Sequence, residues 1–194
     1  MKTVFFDVDT QMDFMLPAGA LYVPGAEGIV PAIARLNQWA ARHAIPVVST
    51  TDAHSENDPE FAQWPPHCVA GTAGQHKPSE TLLAKRAVVP AAAAGYSTEG
   101  AQQILLEKQA LDCFTNPNLP GLLERLGADR YVVYGVVTEY CVRLAALGLL
   151  KTGKRVDVVT DAILGLDPQA AGRTLDEIRQ AGGGLTTVEE VCSG

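Results

Sequence analysis

The chain has 194 residues, of which 47% are hydrophobic, and carries a formal charge of −7 at pH 7. That is enough apolar material for one compact α/β domain over residues 1–194, and no apolar run approaches membrane-spanning length. The acidic balance, with no basic stripe, argues against nucleic acid as the main partner and suits a small polar substrate better.

Val4 to Val8 reads as a short apolar strand ending in Asp7-Val8-Asp9, and Gly19 to Gly28 as a Gly/Pro loop. Ile29, Ile33, Leu36 and Ala40 then recur at helical spacing, and Ile45 to Thr51 is a second strand. Residues 52–78 form a polar loop too long to be a mere connection. Within residues 79–100 the pattern is ambiguous, Val88-Val89-Pro90 and the alanine run fitting a short strand plus loop. Gln103 to Lys108 reads as a strand, Leu119 to Leu126 as a short helix and Tyr131 to Val137 as a buried strand. An amphipathic helix from Cys141 to Leu150 follows, with Thr138 expected as its N-cap, then a strand at Val156 to Thr160. Asp167-Pro168 has the form of an N-cap with Pro at the first helical position, the helix running to about Gln180, and Leu185 to Val188 is a last strand.

Strands alternating with helices predict a doubly wound parallel sheet under right-handed crossovers, with ligands beyond the carboxyl ends of the strands. Asp9, Asp52, Lys108 and Cys141 all fall at or just past such ends. Cys141 stands out because a first helical turn offers unpaired N–H groups and the positive end of the helix dipole, which favour thiolate and can hold an oxyanion. The other cysteines, Cys68, Cys113 and Cys192, form no CxxC pair and read as small buried residues. With acidic residues arriving too early for a signal peptide, reduced thiols and a cytoplasmic location are expected.

A thiol nucleophile needs a base. His43 and His76 read as surface residues. Asp52-Ala53-His54, with His67 later in the same loop, has the donor set of a divalent-metal site, although a solvated loop with ordinary histidines fits the same spacing. If these histidines hold a metal, the base falls to a carboxylate, and Asp9 leads; a solvated turn residue is the alternative reading. Lys108, a cation ending an apolar strand, is either a snorkelling edge residue or the charge that anchors Asp9 and helps ionise the thiol.

Together these segments resemble the isochorismatase-like cysteine hydrolase superfamily, and within it the nicotinamidase (pyrazinamidase) branch. Asp9-Thr10-Gln11-Met12-Asp13-Phe14 resembles the family's D-x-Q-x-D-F motif. Asp52-Ala53-His54 and Trp64-Pro65-Pro66-His67-Cys68-Val69 resemble its metal segment, Ile104 to Lys108 its lysine strand, and Gly135 to Val142 its nucleophile segment. The resemblance implies a six-stranded parallel sheet in a three-layer αβα arrangement, and an Asp9, Lys108, Cys141 triad. It also implies a cis Val136–Val137 peptide with an oxyanion hole from the Val137 and Cys141 N–H groups.

By the same analogy Asp52, His54 and His67 would hold Zn, Fe or Mn, with Asp58 or Glu60 as a further contact. Phe14, Trp64, Gln11 and Tyr140 would meet the substrate, a small carboxamide, and a homo-oligomer is expected. The segment Leu111 to Asn118 departs from the family pattern, so the pyridine-carboxamide assignment is weaker than the catalytic one. Rival readings are a ureido, carbamoyl or maleamate-type C–N hydrolase, an isochorismatase-type vinyl-ether hydrolase that would not need the metal set, and a non-enzymatic binding subunit.

Overall fold

A computed structural model describes residues 1–193. In chain order its elements are β1 (Thr3–Val8), α1 (Met12–Met15), α2 (Val30–Arg42), β2 (Val47–Asp52), β3 (Arg86–Val89), β4 (Gln103–Lys108) and α3 (Leu119–Leu126). They continue with β5 (Arg130–Val136), α4 (Arg143–Leu150), β6 (Arg155–Leu164), α5 (Pro168–Gln180), β7 (Gly184–Thr186) and α6 (Val188–Cys192).

The strands form one sheet in the order β3-β4-β2-β1-β5-β6-β7, every pair parallel. That is seven strands, not the six expected. The additional edge is supplied from the ambiguous 79–100 stretch, where β3 is short and ends at Val89, just before Pro90, which cannot donate to a ladder. The central strands are apolar because both faces are covered. Phe5 stacks on Trp39 of α2 at 5.9 Å, while its neighbour Phe6 meets Tyr131 edge-on at 6.4 Å, so successive residues of β1 serve opposite faces.

Several boundaries shift for identifiable reasons. Strand β2 starts after Pro46 rather than at Ile45. Strand β6 runs on to Leu164, where its final residues pair with Gly135 and Val136 after an irregularity in register. The last strand stops at Thr186 because Thr187 caps α6 in a reciprocal pair with Glu190. Asp167 does cap α5, accepting from Gln169 N at 2.8 Å. Thr138 is not a cap: Val137 occupies that position, and Thr138 opens a wide π turn, Thr138–Val142, that leads into α4. Cys141 therefore sits inside a π turn, a distortion that hydrophobic periodicity does not encode. No helix among the described residues is long and apolar enough to cross a membrane.

Gly135 lets β5 approach β1 closely. Its φ is +120°, and a Cβ there would lie 2.1 Å from the Val8 carbonyl oxygen. Gly135→Ala should therefore destabilise the fold by about 3 kcal/mol or more, read as a lower urea midpoint.

Candidate active site

The carboxyl ends of four adjacent strands, β4, β2, β1 and β5, deliver Lys108, Asp52, Asp9 and the turn bearing Cys141 to one place. Here the crossovers leave β1 on one side and β5 on the other, so the loops part and open a crevice. The pocket, about 440 Å³ with its mouth, is lined by Asp9, Asp52, Glu60 and His67 at its polar end. Phe14, Val23, Trp64, Val137 and Tyr140 are among its apolar walls, beside Cys141.

Lys108 is buried and lies against both carboxylates and the thiol. Its Nζ lies 2.9 Å from Asp9 Oδ2 and 2.5 Å from Asp52 Oδ1, donates to the Ala110 carbonyl at 3.0 Å and stands 3.9 Å from Cys141 Sγ. Burial disfavours the cation, but Asp52 and Asp9 outweigh it and hold the ammonium well above its ordinary pKa. The edge-lysine alternative does not apply to this side chain.

Asp9 is buried just past the end of β1, with a left-handed φ of +48°. It accepts from Thr50 Oγ1 at 2.6 Å. Burial raises its pKa above the usual carboxylate range, with Lys108 opposing, which moves it toward the values suited to a general base. Asp52 responds differently to the same burial, because Lys108 keeps it well below its ordinary value.

Cys141 corrects a sequence expectation. The turn position was expected to favour thiolate, yet burial, with Asp9 and Asp52 nearby, pushes the thiol well up despite Lys108. A thiol shifted in this direction needs a neighbouring base to act as a nucleophile. Around it, the Val137 carbonyl accepts from the Tyr140 and Val142 N–H groups at 3.1 and 3.2 Å, and the Val136–Val137 peptide is cis.

The long loop closes on itself, and this brings the histidines together. His54 and Val69 form an isolated bridge, with His54 N donating to the Cys68 carbonyl at 3.2 Å and Ala70 N to the His54 carbonyl at 2.9 Å. One donor atom from each of Asp52, His54 and His67 then lies within 4.8 Å of the others. Because a carbonyl only accepts, the Pro65 carbonyl 2.8 Å from His67 Nδ1 fixes the proton there and leaves the Nε2 lone pair facing Asp52. His54 Nδ1 faces Asp58 Oδ2 at 3.1 Å, and its buried Nε2 has no hydrogen-bond partner.

An orphaned imidazole nitrogen, a second oriented imidazole and the free oxygen of a buried carboxylate fit one divalent cation. The two further acids also separate. Asp58 stands behind His54, whereas Glu60 lines the pocket with Oε1 3.9 Å from His67 Nε2.

Of the expected substrate contacts, Phe14, Trp64 and Tyr140 line the pocket, Trp64 meeting Tyr140 edge-on at 5.6 Å. Gln11 does not. Its amide donates to the carbonyls of Asp52 and Gln75, both at 2.8 Å, and accepts from Asp52 N at 2.6 Å, so it holds β2 and the loop in place. Of the divergent 111–118 segment only Leu111 lines the pocket; Asp112 caps a turn there and Asn116 ties it to the Pro90 and Glu107 carbonyls. His43 and His76 are exposed, as expected.

Three contributors escaped the sequence reading. Thr50 supports Asp9. Asp13 accepts from Cys68 N at 2.7 Å and Ala20 N at 2.9 Å, joining the histidine loop to the Gly/Pro loop. Lys77, beside the exposed His76, is buried against Asp7 at 3.0 Å. Asp13 stands in the D-x-Q-x-D-F pattern, but its partner Cys68 lies 55 residues away, and Thr50 is 41 residues from Asp9, so local sequence does not report these pairings.

The isochorismatase domain family model matches residues 3–190. The chain belongs to the isochorismatase family. It is 32% identical to the nicotinamidase/pyrazinamidase of Mycobacterium tuberculosis, with 96% of each chain covered. Among solved structures it resembles the pyrazinamidase of Pyrococcus horikoshii in complex with zinc, at 30% identity and a TM-score of 0.79 over 96% of this chain and 99% of that one. The N-carbamoylsarcosine amidase of Thermoplasma acidophilum is similar at 27% identity and the same TM-score of 0.79, with 97% of this chain and 98% of that one covered.

Two outcomes follow from the electrostatics. Lys108→Met should cost about 3–5 kcal/mol at neutral pH, since it leaves two buried carboxylates unpaired. Without the cation, Asp9 and Asp52 would titrate above their unfolded values, so the deficit in urea midpoint should shrink as the pH falls toward about 4. Metal analysis of purified protein should give about one divalent ion per chain, falling to near zero in His67→Ala and Asp52→Ala.

Proposed function

We propose that this chain is a cysteine amidohydrolase that cleaves an uncharged ring carboxamide, of the nicotinamide or pyrazinamide kind, to the acid and ammonia. The observation that carries the reading is the Lys108 bridge, which sets Asp9 and Cys141 beside a pocket whose lining side chains include no Lys or Arg. The similarity to a nicotinamidase/pyrazinamidase supports the same reaction class.

In this reading Asp9, which shares the Lys108 ammonium with Cys141, takes the thiol proton as Sγ attacks the amide carbonyl. The negative charge then passes from the Asp9 carboxylate to the sulfur, and Lys108, within reach of both, keeps that change local. The Val137 and Cys141 N–H groups receive the oxyanion, and protonated Asp9 returns its proton to the leaving nitrogen as ammonia departs. Asp9 next deprotonates water, which cleaves the thioester and restores the thiol. Asp52, His54 and His67 would hold a divalent ion, with Glu60 facing it, and when bound it supplies a Lewis acid to fix a ring nitrogen or a water in the pocket. Phe14 and Trp64 provide apolar and aromatic walls for the ring.

The carbamoyl-type alternative is favoured by the likeness to the N-carbamoylsarcosine amidase. A substrate bearing a carboxylate, however, would meet Asp9, Asp52 and Glu60 with no cationic side chain in the lining to pair with it. Ammonia release from nicotinamide, pyrazinamide, N-carbamoylsarcosine and maleamate decides between them. Turnover of the two ring amides, lost by at least about 10³-fold in Cys141→Ala and reduced by a chelator, is the expected result. Turnover confined to the carboxylate-bearing compounds, or retained by Cys141→Ala, would overturn it.

A further inference from the structure

Leu166 lines the pocket while remaining 45% exposed, an unusual place for a large apolar side chain. Its position is set from the nucleophile turn. Glu139 Oε1 accepts from Leu166 N at 2.8 Å and from Asp167 N at 2.9 Å. The other oxygen, Oε2, is buried without a hydrogen-bond partner, and a Cβ on Gly165 would fall 2.3 Å from it. The β6–α5 connection is thus wrapped around one carboxylate. Burying an unpartnered carboxylate oxygen is costly, so the arrangement calls for a return elsewhere. Neither proton transfer nor oxyanion binding uses Glu139.

We infer that Glu139 is a positioning residue for specificity, holding the Gly165–Asp167 backbone so that Leu166 stands as a fixed wall at the pocket mouth. Planar rings large enough to reach Leu166 are held against Cys141, whereas short acyl amides gain nothing from it. The inference rests on the amidase reading for its substrate, but not for the clamp itself.

The test uses Glu139→Ala, Glu139→Gln and Leu166→Ala, each checked for folding by circular dichroism. Glu139→Ala should speed hydrogen exchange of the 163–168 segment at least about tenfold. It should also raise KM for nicotinamide about five- to tenfold with kcat within about twofold. Leu166→Ala should reproduce the KM change without the exchange change. Glu139→Gln, whose amide oxygen still accepts both N–H groups, should keep both near the wild type. Unchanged exchange in Glu139→Ala, an unchanged KM in Leu166→Ala, or a fall in kcat alone would each overturn the inference.

If no amide is turned over, the amidase reading fails separately. The clamp is then judged by exchange and by Cys141 alkylation with N-phenyl-iodoacetamide relative to iodoacetamide. Both Glu139→Ala and Leu166→Ala should lower that ratio, and an unchanged ratio overturns the wall. Leu166→Ala leaves the clamp intact, so it decides the wall even if Glu139→Ala does not fold.

Discussion

A buried ammonium flanked by two carboxylates is the interaction on which both halves of the site depend. Lys108 lies within 2.9 Å of Asp9 and 2.5 Å of Asp52, and neither acid could stay ionised in so dry a place without it. The three groups together still carry one net negative charge. That excess faces His54 and His67 through Asp52 Oδ2, which is why a cation suits the far side of the cluster. On the near side, Asp9 is left with a raised pKa and a thiol beside it. One lysine therefore leaves two equally buried carboxylates with opposite shifts in basicity, Asp9 raised and Asp52 lowered.

Such a centre needs a rigid frame, and a second polar network supplies it. Asp7, on the α2 face of β1, accepts from Thr10, Asn37 and Ser49 and pairs with Lys77; Tyr134 donates to Asn37. These groups satisfy one another in the core, and Lys77 brings the end of the long loop to the strand that carries Asp9. Gln11 and Asp13 fasten the same loop from the other side. A fully paired network of this kind specifies one arrangement of the loop, which isolated hydrophobic contacts would not do.

The alternation of apolar strands and amphipathic helices was legible because local periodicity reports local burial; α3 and α5 keep the boundaries read from the sequence. Where long-range geometry overrides it, legibility failed. The π turn at Thr138–Val142 replaces a capped α-helix start, and β3 becomes a strand only because β4 offers it an edge. The candidate site followed the same division. Asp9, Asp52, Lys108 and Cys141 could be nominated from their places at strand ends. The place of Gln11 outside the pocket lining was not legible, because its partners, the backbones of Asp52 and Gln75, lie 41 and 64 residues away.

By itself the sequence determined the residue types available for chemistry and the strand ends that carry them, since both follow from composition and period. It also identified Cys141 as the thiol to watch. Only the tertiary structure decided that burial pushes this thiol's pKa up, that Asp52 and Asp9 diverge in basicity, and that Leu166 lines the pocket while remaining exposed. Those properties depend on desolvation and on charges brought together from distant segments, and neither is a function of local sequence.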